Sequence, residues 1–127
     1  MIILDTSIWI EFLKGNPHYF TIVRQLLENQ EVRSVECIFG ELLQGAKNNE
    51  ESEIIKKYWE SLPKIKHEGL WIEAGEYSYE NNLISKGVGL IDAAIIIAAQ
   101  RVNARIWTLD KRLHSILGND IQYTPQG

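Results

Sequence analysis

Four acidic residues occupy positions where a carboxylate needs a reason to be. Asp5 directly follows the apolar run Ile2-Ile3-Leu4, and Glu41 lies between Phe39-Gly40 and Leu42-Leu43. Asp92 follows Gly87 and Gly89 inside the apolar run Leu90 to Ala99, and Asp110 follows the stretch Ala104 to Leu109. A carboxylate at the end of a buried strand must find hydrogen bonds or a cation. Several carboxylates in one crevice repel each other and raise at least one pKa, a penalty that a divalent cation removes. Mg²⁺, and Mn²⁺ with it, prefers oxygen ligands, keeps several waters and takes one or two carboxylates directly. Such a site can activate a water and stabilise charge on a phosphoryl group.

Each acid also has a structural reading. Asp110 can cap the helix after it, Asp92 can complement a helix dipole, and Glu41 can face solvent from a half-exposed helix. Asp5 is harder to explain in this way, because Ser7 is available to cap the next helix. The other chemistry-bearing residues are dispersed. His18, His67 and His114 form no H-x-x-x-H pair, and a single cysteine, Cys37, allows neither an internal disulfide nor a cysteine-based zinc site. Cys37 reads as a small buried apolar side chain.

The elements that must position these acids follow from periodicity. Ile2 to Leu4 reads as a buried strand, and Ile8 to Lys14 as a helix stopped at Gly15. Tyr19, Ile22, Val23 and Leu26 define an amphipathic helix over Pro17 to Asn29. Val32 to Val35 predicts a second strand, followed by helices over Glu36 to Ala46 and Asn49 to Leu62. A weak strand signal covers Lys64 to His67. Ile72, Gly75, Tyr79 and Leu83 lie along one stripe of a helix predicted for Leu70 to Lys86. Leu90 to Val102 is apolar nearly all round, which predicts a buried helix. Ala104 to Leu109 is the clearest later strand, Lys111 to Leu117 a short helix, and Ile121 to Tyr123 a last strand. Apolar strands alternating with helices predict an α/β fold, a three-layer α/β/α sandwich around a mostly parallel sheet. In such folds ligands bind outside the carboxyl ends of the strands, where Asp5, Asp92 and Asp110 fall. Glu41 joins them if its helix packs over that edge.

The 127 residues, 45% hydrophobic and 24% charged, show no repeat and no linker, so one continuous domain over residues 1–127 is expected. No apolar run reaches the ~20 residues that span a bilayer, and Asp5 and Glu11 interrupt any signal-peptide core, so a soluble cytoplasmic protein is expected. The net charge of −4 argues against a broad phosphate-binding face. Two divalent cations would bring that charge to about zero, so phosphate handling here must rely on metal.

The segments ILDTSIWIEFLKG, ECIFGELLQGA, GVGLIDAAIIIAA and IWTLDKRL, in this order and spacing, resemble the PIN-domain family, and within it the VapC-type toxins of toxin–antitoxin pairs. The resemblance implies a PIN fold in which Asp5, Glu41, Asp92 and Asp110 bind metal and act in catalysis. It implies a Mg²⁺-dependent endoribonuclease (Mn²⁺ as an alternative ion) acting on structured RNA such as tRNA or rRNA. It also implies a homodimer held inactive by a cognate antitoxin. Ser7 and Thr108 match positions that support the acids through hydrogen bonds, with a helix cap as the other role for Ser7. Where many relatives carry an aromatic residue four positions after the last acid, this chain has His114, expected at the surface.

Lys111 and Arg112 flank Asp110 and are the best candidates for RNA phosphate contacts, ahead of Lys14 and Arg105. Tyr58 and Trp59, on an otherwise charged helix, suggest a dimer or antitoxin surface. Two rival readings remain. A Mg²⁺-dependent phosphatase of the haloacid-dehalogenase type needs a second Asp where Ser7 stands, and a receiver domain needs an Asp that Val32 to Val35 does not supply. A non-catalytic RNA-binding domain would keep the fold only as a scaffold.

Overall fold

A computed structural model describes residues 1–125. Three parallel strands form the sheet: β1 (Ile2–Leu4), β2 (Val32–Arg33) and β3 (Arg105–Trp107), in the order β2-β1-β3. Ile2 pairs with Val32 on one side and with Arg105 on the other. The central strand is apolar throughout because both its faces are covered, and Ile2, Ile3 and Leu4 are all buried. Each such side chain contributes about 1.5–3 kcal/mol by leaving water.

Seven α-helices surround the sheet among the described residues. They are α1 (Thr6–Leu13), α2 (Pro17–Glu28), α3 (Glu36–Gln44), α4 (Asn49–Ser61), α5 (Leu70–Glu80), α6 (Leu90–Val102) and α7 (Lys111–Ile116). Helix α1 packs on α2 and α3, and α3 packs on α4, while α5 and α6 lie along one another with α6 against β3. The chain runs from β1 outward to β2 and then back past β1 to β3. With right-handed crossovers, that reversal puts α1 and α2 on one face of the sheet and α6 on the other. The result is the expected α/β sandwich, with its switch point between the carboxyl ends of β1 and β3.

The core is continuous. Trp9 is buried edge-on against Phe12 and Phe39. Helix α6 behaves as its composition requires, with Ala93 to Ala99 all buried.

Several elements depart from the sequence reading. The second strand ends at Arg33 and the third is confined to Arg105–Trp107. Lys64 to His67 contributes only one parallel bridge, Lys64 to Ser34, and Ile121 to Tyr123 only one, Gln122 to Ile106. These segments cover the sheet's two edges without extending as strands. The helix predicted for Leu70 to Lys86 stops at Glu80. Asn82 adopts a left-handed backbone, and a separate 3-10 turn covers Ile84–Lys86. The stripe on this helix also faces the other way: Leu70 and Ala74 are buried, whereas Ile72 and Tyr79 are 71% and 85% exposed. Tyr58 and Trp59 are half-buried, with one side of each ring against the core. Tyr58 packs on Trp9 and Phe12, and Trp59 packs on Phe39 under the Lys64 ammonium.

Candidate functional site

Asp5 extends the β1–β3 pairing by one residue, its N–H donating to the Trp107 carbonyl at 3.1 Å. That register brings Thr108 over the Asp5 side chain. The carboxylate is 6% exposed, and protein donors satisfy it. Oδ1 accepts from the Ser7 hydroxyl and from the Ile8 N–H at 3.3 Å, and Oδ2 accepts from the Thr108 hydroxyl. Burial still outweighs these bonds and holds the Asp5 pKa above its ordinary value.

The bond to Ile8 makes Asp5 the cap of α1. The sequence reading gave that place to Ser7. Helix α1 begins at Thr6, so Ser7 lies inside its first turn and its hydroxyl is free to serve the carboxylate instead.

The two hydroxyls also tie β1 to the loop after β3. Ser7 Oγ accepts from the Leu109 N–H at 3.0 Å, and Thr108 Oγ1 accepts from the Asp110 N–H at 3.0 Å. Asp110 is exposed and caps α7, its Oδ1 accepting from the N–H groups of Arg112 at 2.8 Å and Leu113 at 3.2 Å. Oδ2 is left for solvent or a ligand.

Glu41 reaches the same region from α3. Its Oε1 accepts from the Thr6 hydroxyl at 2.7 Å. Sequence reasoning missed Thr6. The available signal was its place between Asp5 and Ser7, at the start of a helix whose exposed side another helix would have to cover.

Asp92 stands at the third position of α6, half-buried, and no side chain donates to it among the described residues. Its pKa rises to about 6. Burial is the largest cause, followed by the charges of Asp110 and Asp5, with Glu41 adding less and the Gly89 N–H opposing. Asp92 therefore feels all three other acids, so the fold brings the four predicted carboxylates to one edge of the sheet. Cys37 reports the same field. Burial first, then the charges of Glu41 and Asp92, push its thiol up to about 11, which keeps it protonated and unreactive.

The donors left open are the Asp92 carboxylate, Asp110 Oδ2, Glu41 Oε2 and the remaining lone pair of Asp5 Oδ2. This all-oxygen set suits a hard divalent cation, which relieves their repulsion. No three Asp, Glu, His or Cys side chains among the described residues stand close enough to hold one ion together. A cation here would therefore meet part of the set through water, as Mg²⁺ commonly does.

Of the basic residues, Lys111 is exposed beside Asp110. Arg112 is also exposed, but its side chain lies over Gly87. A Cβ on Gly87 would stand 3.1 Å from Arg112 Cδ, and the φ of +75° there also favours glycine. Arg112 thus bridges α7 to the loop that sets the start of α6. His114 is exposed, and Arg105 is exposed on β3.

A parallel α/β fold with a set of carboxylates along the edge at its switch point defines a class that can handle phosphate esters through a divalent cation. Residues 2–118 match the PIN domain, and the chain belongs to that family. PIN domains are in general nucleases that use divalent metal ions. No curated protein is significantly similar to the chain. Among the described residues, no helix is long and apolar enough to cross a membrane.

Proposed function

We propose that this protein is a Mg²⁺-dependent endoribonuclease of the VapC type, the toxin of a type II toxin–antitoxin pair. The observation that carries the nuclease reading is the convergence of Asp5, Glu41 and Asp110 on Asp92. Holding four carboxylates together without a cation costs the fold stability and gains it nothing.

Asp92 and Asp110 are the inner ligands in this reading, because each presents an oxygen that no protein donor occupies. Asp5 is the fixed point of the set, held in one rotamer by Ser7, Thr108 and the Ile8 N–H. Glu41, steadied by Thr6, accepts a proton from the attacking water or orients it. When bound, Mg²⁺ supplies a Lewis acid for the phosphate and lowers the pKa of that water. Cleavage releases the 3′-oxygen and leaves a 5′-phosphate. Lys111 draws the RNA backbone to the crevice, where the acidic surface alone would repel it.

The substrate is a structured RNA, tRNA or rRNA, and the activity is restrained by an antitoxin in the cytoplasm. The exposed apolar side chains Ile72, Tyr79 and Ile84 offer a second copy of the chain a surface for a homodimer.

The test is cleavage of end-labelled RNA by purified protein in Mg²⁺ and in EDTA. Asp92→Asn is expected to lower the rate about 10³-fold or more, the equivalent of several kcal/mol of lost charge stabilisation. Full activity in EDTA, or a 2′,3′-cyclic phosphate product, would sink the reading.

A further inference from the structure

The first turn of α7 holds a cation and an anion that do not meet. Arg112 gives its backbone N–H to Asp110 Oδ1 at 2.8 Å, yet its guanidinium turns aside and lies across Gly87. A Cβ on Gly87 would stand 3.1 Å from Arg112 Cδ and 3.4 Å from both Nε and Nη1, so glycine is what leaves the side chain this place. Among the described residues, the guanidinium donates no hydrogen bond to the protein and has no acidic partner within 4 Å. Lys111, beside it in sequence, and Lys86, which precedes Gly87, are exposed and likewise without an acidic partner. The contact of Arg112 with Gly87 thus brings three cations to the α6–α7 side of the acid set. A surface ion pair is worth so little that packing of the arginine stem over Gly87 is enough to keep one from forming. The carboxylates are left for a cation and the guanidinium for an anion.

Resting on the nuclease reading above, we propose that Arg112, supported by Lys86 and Lys111, binds the RNA phosphate next to the one that is cleaved. A strand whose scissile phosphate lies at the acid set carries its next negative charge one nucleotide away. A guanidinium paired with Asp110 or Asp92 would be spent on the acids, whereas one held to the side is free to meet that charge. The planar fork of arginine takes two phosphate oxygens at once, which fixes the direction of the backbone as well as its distance. RNA fits this patch better than an acidic peptide does. Its charges repeat at every residue along the chain, and PIN domains act in general on nucleic acid.

Fluorescein-labelled octauridylate is titrated into the full chain and followed by anisotropy, with Ca²⁺ in place of Mg²⁺ to keep the RNA intact. Arg112→Met keeps the stem over Gly87 and removes the charge. It is expected to bind about tenfold more weakly at an unchanged melting point, and the slope of log Kd against log salt should shrink by about 0.7. Arg112→Lys should recover the slope but only part of the affinity. Arg105 is the control, because it is equally exposed and unpaired but sits at the amino end of β3, away from the acids. Arg105→Met should leave binding unchanged. Equal losses from the two Met variants, no loss from Arg112→Met, or octaglutamate bound as tightly as the RNA would each overturn the proposal. In a single-cut substrate, a neutral methylphosphonate next to the scissile bond should slow the native protein by as much as Arg112→Met does, and slow that variant no further. Additive losses would overturn the placement beside the cut. Cleavage that Arg112→Met leaves unaltered removes the phosphate clamp and keeps the nuclease. RNA held through Arg112 with no cleavage of any RNA keeps the clamp and removes the nuclease.

Discussion

Asp5 and Asp92 are the same residue type at one edge of one sheet, and the fold treats them oppositely. Asp5 is buried under two hydroxyls and a backbone N–H, so its geometry is fixed before any ligand arrives. Asp92 receives no side-chain donor and carries the repulsion of its neighbours. One carboxylate is partly compensated by protein donors, while the other has no side-chain donor and is left for a ligand to compensate. A site that must hold its shape empty and still bind a cation tightly needs both kinds.

The contrast breaks most visibly at Thr108. Thr108→Val keeps the shape but leaves Asp5 Oδ2 without its buried donor and the Asp110 N–H without its acceptor. The expected cost is about 1–3 kcal/mol, read as a melting point lowered by roughly 4–10 °C. An unchanged melting point would mean that the hydroxyl does not hold Asp5.

Asp92→Asn is expected to do the reverse in EDTA. The folded-state pKa of Asp92 stands above the ordinary 3.8, so this carboxyl adds stability below that value and loses it as pH rises through about 6. At pH 7.5 the native protein bears the whole penalty, and asparagine removes it. Discounted for a half-exposed side chain, the gain is about 1 kcal/mol. It should shrink steadily as the pH is lowered from 7 to 4. A gain that stays constant over that range would show that repulsion is not its source. Saturating Mg²⁺ should cancel the gain, by stabilising the native protein more than the variant.

Thr6→Val probes an intermediate case. Glu41 loses its one hydroxyl donor, but it is only partly buried, so water replaces the bond and stability changes by about 0.5 kcal/mol. The larger effect falls on the cleavage rate, because Glu41 then samples several rotamers. A rate equal to that of the native protein would make the Thr6 bond incidental.

Local pattern carried much of this molecule. The run Ile2-Ile3-Leu4 ending at an acid can only be a buried strand whose carboxylate sits at its rim, and the uninterrupted apolar run of α6 can only be buried. Parallel strands then force all their carboxyl ends to one edge, which is why the site was legible before the fold. Faces and caps were not legible. The Ile72–Tyr79 stripe was assigned to the wrong side, because periodicity says that a helix has an apolar face but not which neighbour covers it. A cap is decided by the first residue with helical backbone, and a one-residue shift moved that task from Ser7 to Asp5.

The sequence by itself placed Asp5, Asp92 and Asp110 at one edge of a parallel sheet, since strand direction and chain order put the carboxyl ends of β1 and β3 there, and it left Glu41 to the packing of its helix. Only the tertiary structure decided how they differ. Thr108 lies over Asp5 because strands more than a hundred residues apart pair in one register, and Glu41 reaches Thr6 because α3 packs across α1. Such contacts depend on packing between distant segments, which no local stretch of sequence encodes.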